Sequence, residues 1–183
     1  MSLVKSIVLQ FILILACALG AGPSYGQEPL GPRAKRARTA EDYQPRTLKE
    51  IGVASKAESS RDGGRAEVVL GDIFPSRVRV TYRGSARSLP KSKKDVIYSW
   101  AQRYAGAPEH YTKPYGTELL FNEDGREYWL AVNKELLQQF KTELKKGESL
   151  DLYVIRLGGI RTKGKWEWVL LVEKFAKPRI VSH

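Results

Sequence analysis

Residues 117–132 read TELLFNEDGREYWLAV and predict a β-hairpin around which the rest of the fold can be placed. Two short runs of apolar, aromatic and β-branched residues, 117–121 and 127–132, are typical of strands. Asp124 and Gly125 lie between the runs, and this pair favours the tight turn of a hairpin because both residues tolerate a positive φ. The stretch therefore predicts two adjacent antiparallel strands.

The chain after the hairpin predicts a helix and two more strands. Asn133 is a favourable N-cap, and residues 134–146 place their apolar side chains on one helix face. Strands are predicted at residues 149–156 and 165–175, with a hairpin loop at residues 157–164. The last strand is apolar on both faces at its centre, so we expect both faces to be covered.

The chain before the hairpin predicts one clear strand and one helix. Residues 77–82 alternate apolar with polar side chains, which is the pattern of a half-buried strand. A Ser-x-x-Asp capping box and apolar residues at helical spacing predict a helix over residues 93–105. Residues 66–70 predict an accessory strand, and the Pro and Gly residues in 106–116 predict a loop.

The order of these elements predicts a mainly β fold with two helices. This order resembles that of the five-stranded Greek-key barrel of the oligonucleotide/oligosaccharide-binding (OB) fold. It runs strand, helix, strand, strand, helix, strand, strand. The characteristic helix of that fold lies between the third and fourth strands, where residues 134–146 fall, whereas the helix at 93–105 is an insertion. The resemblance spans about residues 76–175 and concerns the fold alone, so it implies no functional residue. An open α+β sandwich of the same strands is the alternative.

Residues 1–26 predict a signal peptide. One lysine precedes an apolar run that is too short to cross a bilayer, and small residues follow it, with cleavage expected after Gly26. The expected localisation is therefore the periplasm or the extracellular space, with no transmembrane span in the mature chain. Cys17 lies in a stretch that resembles a bacterial lipoprotein box, so a lipid anchor on Cys17 is the alternative.

The remaining chain divides into a linker and one domain. Residues 27–65 are rich in Pro, Gly, Ser, Arg and Ala with scattered apolar residues, and they predict a flexible basic tether. A short helix over residues 48–53 is an alternative for part of the tether, and the basic cluster at 33–38 is most simply a solvated charge run. Residues 66–183 have the length and apolar content of a single domain, the OB-like barrel.

Composition and motifs exclude several classes of protein. One Cys cannot form an internal disulfide or a Cys-rich zinc cluster, and His110 and His183 are the only imidazoles. The sequence contains no His-Glu-x-x-His motif, no Gly-x-Ser-x-Gly motif and no phosphate-binding glycine loop before a helix. It therefore predicts no catalytic residue, no metal site and no cofactor.

The net charge of +11 indicates an anionic partner. In an OB barrel, ligands lie across the second and third strands, flanked by the loop after the first strand and the loop before the last. Both loops are basic here, and aromatic residues of the third strand offer a stacking surface. The predicted ligand-binding residues are Arg87, Lys91, Lys93, Lys94, Tyr128, Trp129, Arg156, Arg161, Lys163 and Lys165.

These features predict an exported, non-catalytic binding module of the cell envelope or extracellular space. Its basic loops would meet an anionic polymer, a lipid surface or an acidic envelope protein, and export argues against intracellular nucleic acid. The second hypothesis is a structural or assembly protein that uses its tether and a sheet edge to contact another envelope protein. Core tryptophans and solvated loop lysines are the simpler interpretation of the same residues.

Overall fold

The structure, a computed structural model, describes residues 38–61, 68–71 and 74–178. The predicted signal peptide, its cleavage after Gly26 and the alternative lipid anchor on Cys17 lie outside the described residues. The contacts group Arg38–His183 into one compact unit. Among the helices that the structure describes, none has the length and apolar character needed to cross a membrane.

The described residues form seven strands and four α-helices. The strands are β1 (Gln44–Pro45), β2 (Val68–Leu70), β3 (Ser76–Ser88), β4 (Tyr115–Glu123), β5 (Arg126–Asn133), β6 (Ser149–Thr162) and β7 (Lys165–Ala176). The helices are α1 (Leu48–Arg61), α2 (Lys91–Tyr104), α3 (Pro108–Thr112) and α4 (Lys134–Glu143), preceded by a 3-10 turn at Ala40–Asp42. The prediction of a mainly β fold is confirmed, with two helices more than expected.

All seven strands belong to one mixed sheet with the order β1-β3-β4-β5-β7-β6-β2. β3 also pairs with β6, so that β3, β4, β5, β7 and β6 form a closed ring of pairings. Within this ring β5 is parallel to β7, and the other pairs are antiparallel. β1 and β2 flank the ring, the first parallel to β3 and the second antiparallel to β6.

Apolar side chains are buried on both faces of the ring strands. One cluster, here called the interior cluster, contains residues of all five ring strands together with Ile51 of α1 and Phe140 of α4. A second cluster lies under α2, whose Ile97 and Trp100 are buried against β6 and β7. Residues 169–172 of β7 are all buried, so both faces of this strand are covered, as the sequence predicts.

The hairpin at the centre of the prediction is present. Asp124 and Gly125 form its turn, with φ of 49° and 81°, and Glu123 lies opposite Arg126. Asn133 caps α4 as predicted, since its side-chain oxygen accepts a hydrogen bond from the backbone N–H of Leu136 at 2.7 Å. Local turn and capping chemistry therefore operates here as the sequence indicates.

The structure differs from the predicted flexible tether over residues 38–61. α1 occupies the second half of this stretch, and the side chains of Tyr43, Leu48 and Ile51 are buried. These apolar residues look scattered in the sequence because their partners lie on distant strands. Once the ring is formed, they pack against it, so the tether prediction is wrong for these residues.

α1 begins at Leu48, as the alternative helix over residues 48–53 does, whereas the start of α2 differs from the prediction. Thr47 and Glu50 begin α1 with a reciprocal capping box, in which each side chain accepts a hydrogen bond from the other residue's backbone N–H. α2 begins at Lys91, directly after Pro90, so the predicted Ser-x-x-Asp box lies inside the helix. Asp95 instead pairs with Lys91 one turn earlier, at 2.9 Å.

Two predicted boundaries around the helices shift. The predicted loop at residues 106–116 contains α3, which starts at Pro108, a residue suited to the first position of a helix. α4 ends at Glu143, earlier than predicted, because Leu144 turns to an extended conformation and its side chain is buried.

β6 continues through most of the predicted loop at residues 157–164 and leaves a two-residue turn at Lys163 and Gly164. A Cβ added to Gly158 would lie 2.2 Å from the carbonyl oxygen of Val69. Because Gly158 has no side chain, β2 can approach β6 closely enough to pair with it. A glycine that indicates a loop in the sequence therefore permits close strand packing in the fold.

Candidate ligand groove between β5 and β7

A groove of about 390 Å³ opens between β5 and β7. Among the described residues, the pairing of these strands is limited to Ala131 with Leu171 and Val132 with Val172. Toward the start of both strands the pairing is lost, and the two strand edges line the groove together with Leu48 of α1. The site is therefore a gap in the ring of strands.

Trp166 and Trp168 form one wall of the groove. Their rings stack, with centroids 5.2 Å apart and planes 10° apart. Trp168 lies over Gly159 of β6, where an added Cβ would be 2.4 Å from the indole, and a Cβ on Gly52 of α1 would be 3.5 Å from the indole nitrogen. Gly159 thus makes room for the stacked pair, whereas a side chain at Gly52 would be in ordinary van der Waals contact with it. Arg161 lies opposite Trp166 across the β6–β7 ladder and so shares its face.

Arg87 and Trp129 form a second wall. The guanidinium of Arg87 lies 4.2 Å from the centre of the Trp129 ring, in a cation–π contact. Its Nε donates to one oxygen of Glu118 at 2.7 Å, its Nη2 lies 2.7 Å from the same oxygen in an ion pair, and Lys93 donates to the other oxygen at 2.5 Å. The side chains of Glu118 and Lys93 are 1% and 6% exposed, whereas that of Arg87 is 42% exposed. Two cations therefore share one carboxylate, and Arg87 presents the excess positive charge to the groove.

Strand register brings this cluster together. Arg87 on β3 lies directly opposite Glu118 on β4. β3 reaches this far because its register shifts around Gly84, whose φ of 75° accommodates the irregularity. Lys93 comes from the first turn of α2, the element that follows β3. Three successive elements therefore supply the charged wall.

Carboxylates and a phenol complete the rim. Glu127 on β5 and Glu167 on β7 are exposed and line the groove. Burial, and next the charge of Glu123, raise the pKa of Tyr128, so its hydroxyl stays protonated and can donate a hydrogen bond. The groove thus combines charges of both signs with an aromatic interior.

Glu123 holds α1 beside the groove. Its buried carboxylate accepts hydrogen bonds from the backbone N–H groups of Leu48, at 2.7 Å, and Lys49, at 3.2 Å. A negative group at a helix N-terminus is favourable because the first N–H groups have no partner within the helix. This contact fixes the position of Leu48 at the groove.

The structure brings four of the predicted ligand-binding residues together. Arg87, Lys93, Tyr128 and Trp129 all line the groove, although Lys93 is buried against Glu118. The other predicted basic residues lie elsewhere. Three are at the β6–β7 turn, close to Trp166: Arg161, Lys163 and Lys165. Two are exposed in the first turn of α2 and do not line the groove: Lys91 and Lys94.

Arg156 is a correction to the predicted site. Its side chain is buried, its Nη1 donates to the hydroxyl of Ser55 at 2.7 Å, and its guanidinium lies 4.7 Å from the centre of the Phe74 ring. β6 continues well beyond this residue, and α1 packs over it. The residue predicted to precede an exposed basic loop is therefore enclosed between α1 and the segment before β3.

The predicted ligand-binding residues do not include Trp166 and Trp168, although both line the groove. Trp168 does pack against the interior cluster, yet it also lines the groove beside Trp166. The usable signal is a Trp-x-Trp pair on one strand face with Gly159 on the preceding strand, because glycine leaves room for a large ring on its cross-strand partner.

The side chains of the groove are suited to contact and stacking. Within the part of the chain that the structure describes, no group of three or more His, Cys, Asp and Glu residues could hold a metal ion. Indoles, a guanidinium, carboxylates and a phenol surround the gap between the strands. Comparisons of the chain with protein families, with curated proteins and with solved structures find no match.

Proposed function

We propose that this chain is an exported, non-catalytic binding module whose groove between β5 and β7 takes an anionic partner. The observation that carries the proposal is the Arg87–Trp129 pair on the same groove as the stacked Trp166 and Trp168. Indoles offer a large, rigid contact surface, and an exposed guanidinium attracts an anion. The export part of the proposal rests on residues 1–26 alone.

We also propose that the ring of strands is an OB-like Greek-key barrel. The ring consists of β3, β4, β5, β7 and β6. In support, α4 follows the third strand of the ring and precedes the fourth, as the helix of an OB fold does. Ligands of that fold lie on the second and third strands, beside the loop before the last strand. Trp129 on the third strand and Arg161 near the β6–β7 turn match those positions.

Charge favours an anion over a cation as the partner. Glu118 is shared by Arg87 and Lys93, so this cluster keeps one positive charge. The nearby β6–β7 turn adds Lys163 and Lys165, against two glutamates on the rim of the groove. An acidic group that enters the groove therefore meets more positive than negative charge, and this attraction is screened by salt.

Titration with heparin tests the proposal, because heparin is a polyanion available in defined lengths. Wild-type protein is expected to bind at low ionic strength and to weaken as salt rises. Arg87→Gln is expected to weaken low-salt binding about tenfold, since it removes one charge-assisted hydrogen bond. Calorimetry measures both effects.

Lys141→Gln is the matched control, because it removes an exposed lysine of α4 that does not line the groove. This variant is expected to bind heparin nearly as well as the wild type. A wild-type protein that fails to bind at low salt contradicts an anionic partner. Equal losses in the two variants contradict the groove as its site.

A further inference from the structure

We propose that the partner is a polypeptide, and that an extended acidic segment of it pairs as an added strand with the open edge of β5. This inference rests on the proposed function and names the class of partner for the same groove. It follows from the way in which the two strands line the gap.

Consecutive residues of both strands line the groove: 127–130 on β5 and 166–168 on β7. Successive side chains of a strand point to opposite faces, so one face alone can supply only alternate residues. Consecutive residues of a strand therefore share no face, and the part of the strand that they share is its backbone edge. The walls of the groove are therefore backbone edges as well as side chains.

Part of the β5 edge that faces β7 is not paired with another strand among the described residues. Residues 127–130 pair with β4 on one side, and on the other side the pairing recorded among the described residues starts at Ala131. Every second N–H and C=O of residues 127–130 thus projects into the gap. Such a row is a template for another strand, since its groups repeat about every 7 Å as those of a second strand do. Sugars and nucleotides have no matching row of alternating donors and acceptors.

The side chains around the gap specify what that strand should carry. On one side are Tyr128, Trp168 and Leu48, which pack with the interior cluster. On the other side are Trp129 and the guanidinium of Arg87 above its ring. An added strand presents alternate side chains to these two sides. Apolar residues suit the first side, and an acidic residue suits Arg87.

Glu127 and Glu167 help to set the register of the added strand. Both carboxylates are exposed on the rim of the groove. An acidic side chain of the partner is repelled beside either of them and attracted beside Arg87. Charged residues on a free edge also discourage indiscriminate strand pairing. The groove therefore selects the position of the acidic residue as well as the strand itself.

The test uses a capped heptapeptide that alternates valine with polar residues, glutamate at the central position and serine at the other two, titrated into the full chain. Two isomers of this peptide carry N-methyl groups on alternate residues, so that each isomer loses the N–H donors of one edge. The parent peptide is expected to bind, and at least one isomer is expected to bind about tenfold more weakly or worse, because it loses several backbone hydrogen bonds. Equal affinities of the parent and both isomers overturn strand pairing.

A second arm tests the acidic residue. Arg87→Gln is expected to weaken the glutamate-containing peptide about tenfold, and to weaken much less a peptide of the same length in which serine replaces that glutamate. Loss of both peptides to the same degree overturns the contact between Arg87 and an acidic side chain.

Heparin and a single-stranded oligonucleotide separate this inference from the proposed function. If either binds in the groove while no peptide binds, the polypeptide partner is overturned and the anionic partner stands. If neither polyanion nor peptide binds at low salt, both proposals fail. Displacement of heparin by the peptide, with the N-methyl effect present, supports both.

Discussion

Gly159 makes room for Trp168, and through it for the stacked wall of the groove. An alanine methyl at this position would lie 2.4 Å from the indole, a rigid ring that cannot fold away. We expect Gly159→Ala to destabilise the protein by about 1–3 kcal/mol through overpacking. Urea unfolding followed by circular dichroism measures the change.

Gly116→Ala is the control for this substitution, because a Cβ at Gly116 meets no heavy atom within 4 Å. Its stability should differ little from that of the wild type. A Gly159→Ala variant as stable as Gly116→Ala would show that the indole does not occupy the space above β6.

Tyr115 makes stability depend on alkaline pH. Burial, and next the negative charge of Glu173, raise the pKa of its phenol to about 12. An unfolded tyrosine ionises near pH 10. The folded-state pKa is the higher one, so this stabilisation is complete below about pH 10 and is lost as the pH rises towards 12.

We therefore expect Tyr115→Phe to flatten the fall in stability between about pH 10 and pH 12. Urea midpoints across this range measure the slope for the wild type and the variant. Tyr98→Phe, which changes an exposed side chain, should keep the wild-type slope. Identical slopes for Tyr115→Phe and the wild type would refute the assignment to this phenol.

At the scale of elements, α1 depends on a carboxylate that comes from the β4–β5 hairpin. Glu123 accepts hydrogen bonds from two backbone N–H groups at the helix start. Glu123→Gln keeps one acceptor oxygen and removes the charge, so we expect a loss of about 1 kcal/mol and faster amide exchange in α1. Native-state hydrogen exchange measures both.

Glu143→Gln provides the comparison, since it neutralises an exposed carboxylate near the end of α4. Exchange in α1 should be unchanged in this variant. Unchanged exchange of α1 in Glu123→Gln as well would mean that packing against the ring alone holds the helix.

Sequence patterns predict the elements whose determinants are local. The hairpin follows from Asp124 and Gly125 and from apolar runs around them, and α4 follows from the cap at Asn133. α1 carries an equally local signal in Thr47 and Glu50, a capping box that the tether interpretation passed over. The burial of its apolar residues depends on distant strands and could not be predicted from spacing.

The groove likewise contains residues that local sequence patterns predict and features that they do not predict. Arg87 and Trp129 could be predicted as binding residues because a basic segment and an aromatic strand are visible in the composition, although in the fold Arg87 lies on β3 and Trp129 is half-buried. The burial of Arg156 could not, because its neighbours Ser55 and Phe74 are far away in the sequence and meet it only in the fold. The gap between β5 and β7 depends on where two strands stop pairing, which no local pattern records.

At the scale of the whole molecule, the groove exists because β5 and β7 close the ring through only two residue pairs among the described residues, Ala131 with Leu171 and Val132 with Val172. The interior cluster joins all five strands to α1 and α4, and α2 covers the outer face of β6 and β7. The gap is thus held in a stable frame. A ligand that occupies it is expected to find aromatic walls already in position, with little ordering cost.

The four indole N–H signals in a ¹H–¹⁵N spectrum test the groove as the ligand site most directly. Trp129, Trp166 and Trp168 line the groove, whereas Trp100 is a residue of α2 that is buried against β6 and β7, and it serves as an internal control. On addition of a short heparin fragment at low salt, the first three signals are expected to shift together while that of Trp100 stays in place. Binding that leaves the three groove signals unmoved, or that shifts Trp100 equally, would contradict the groove as the site.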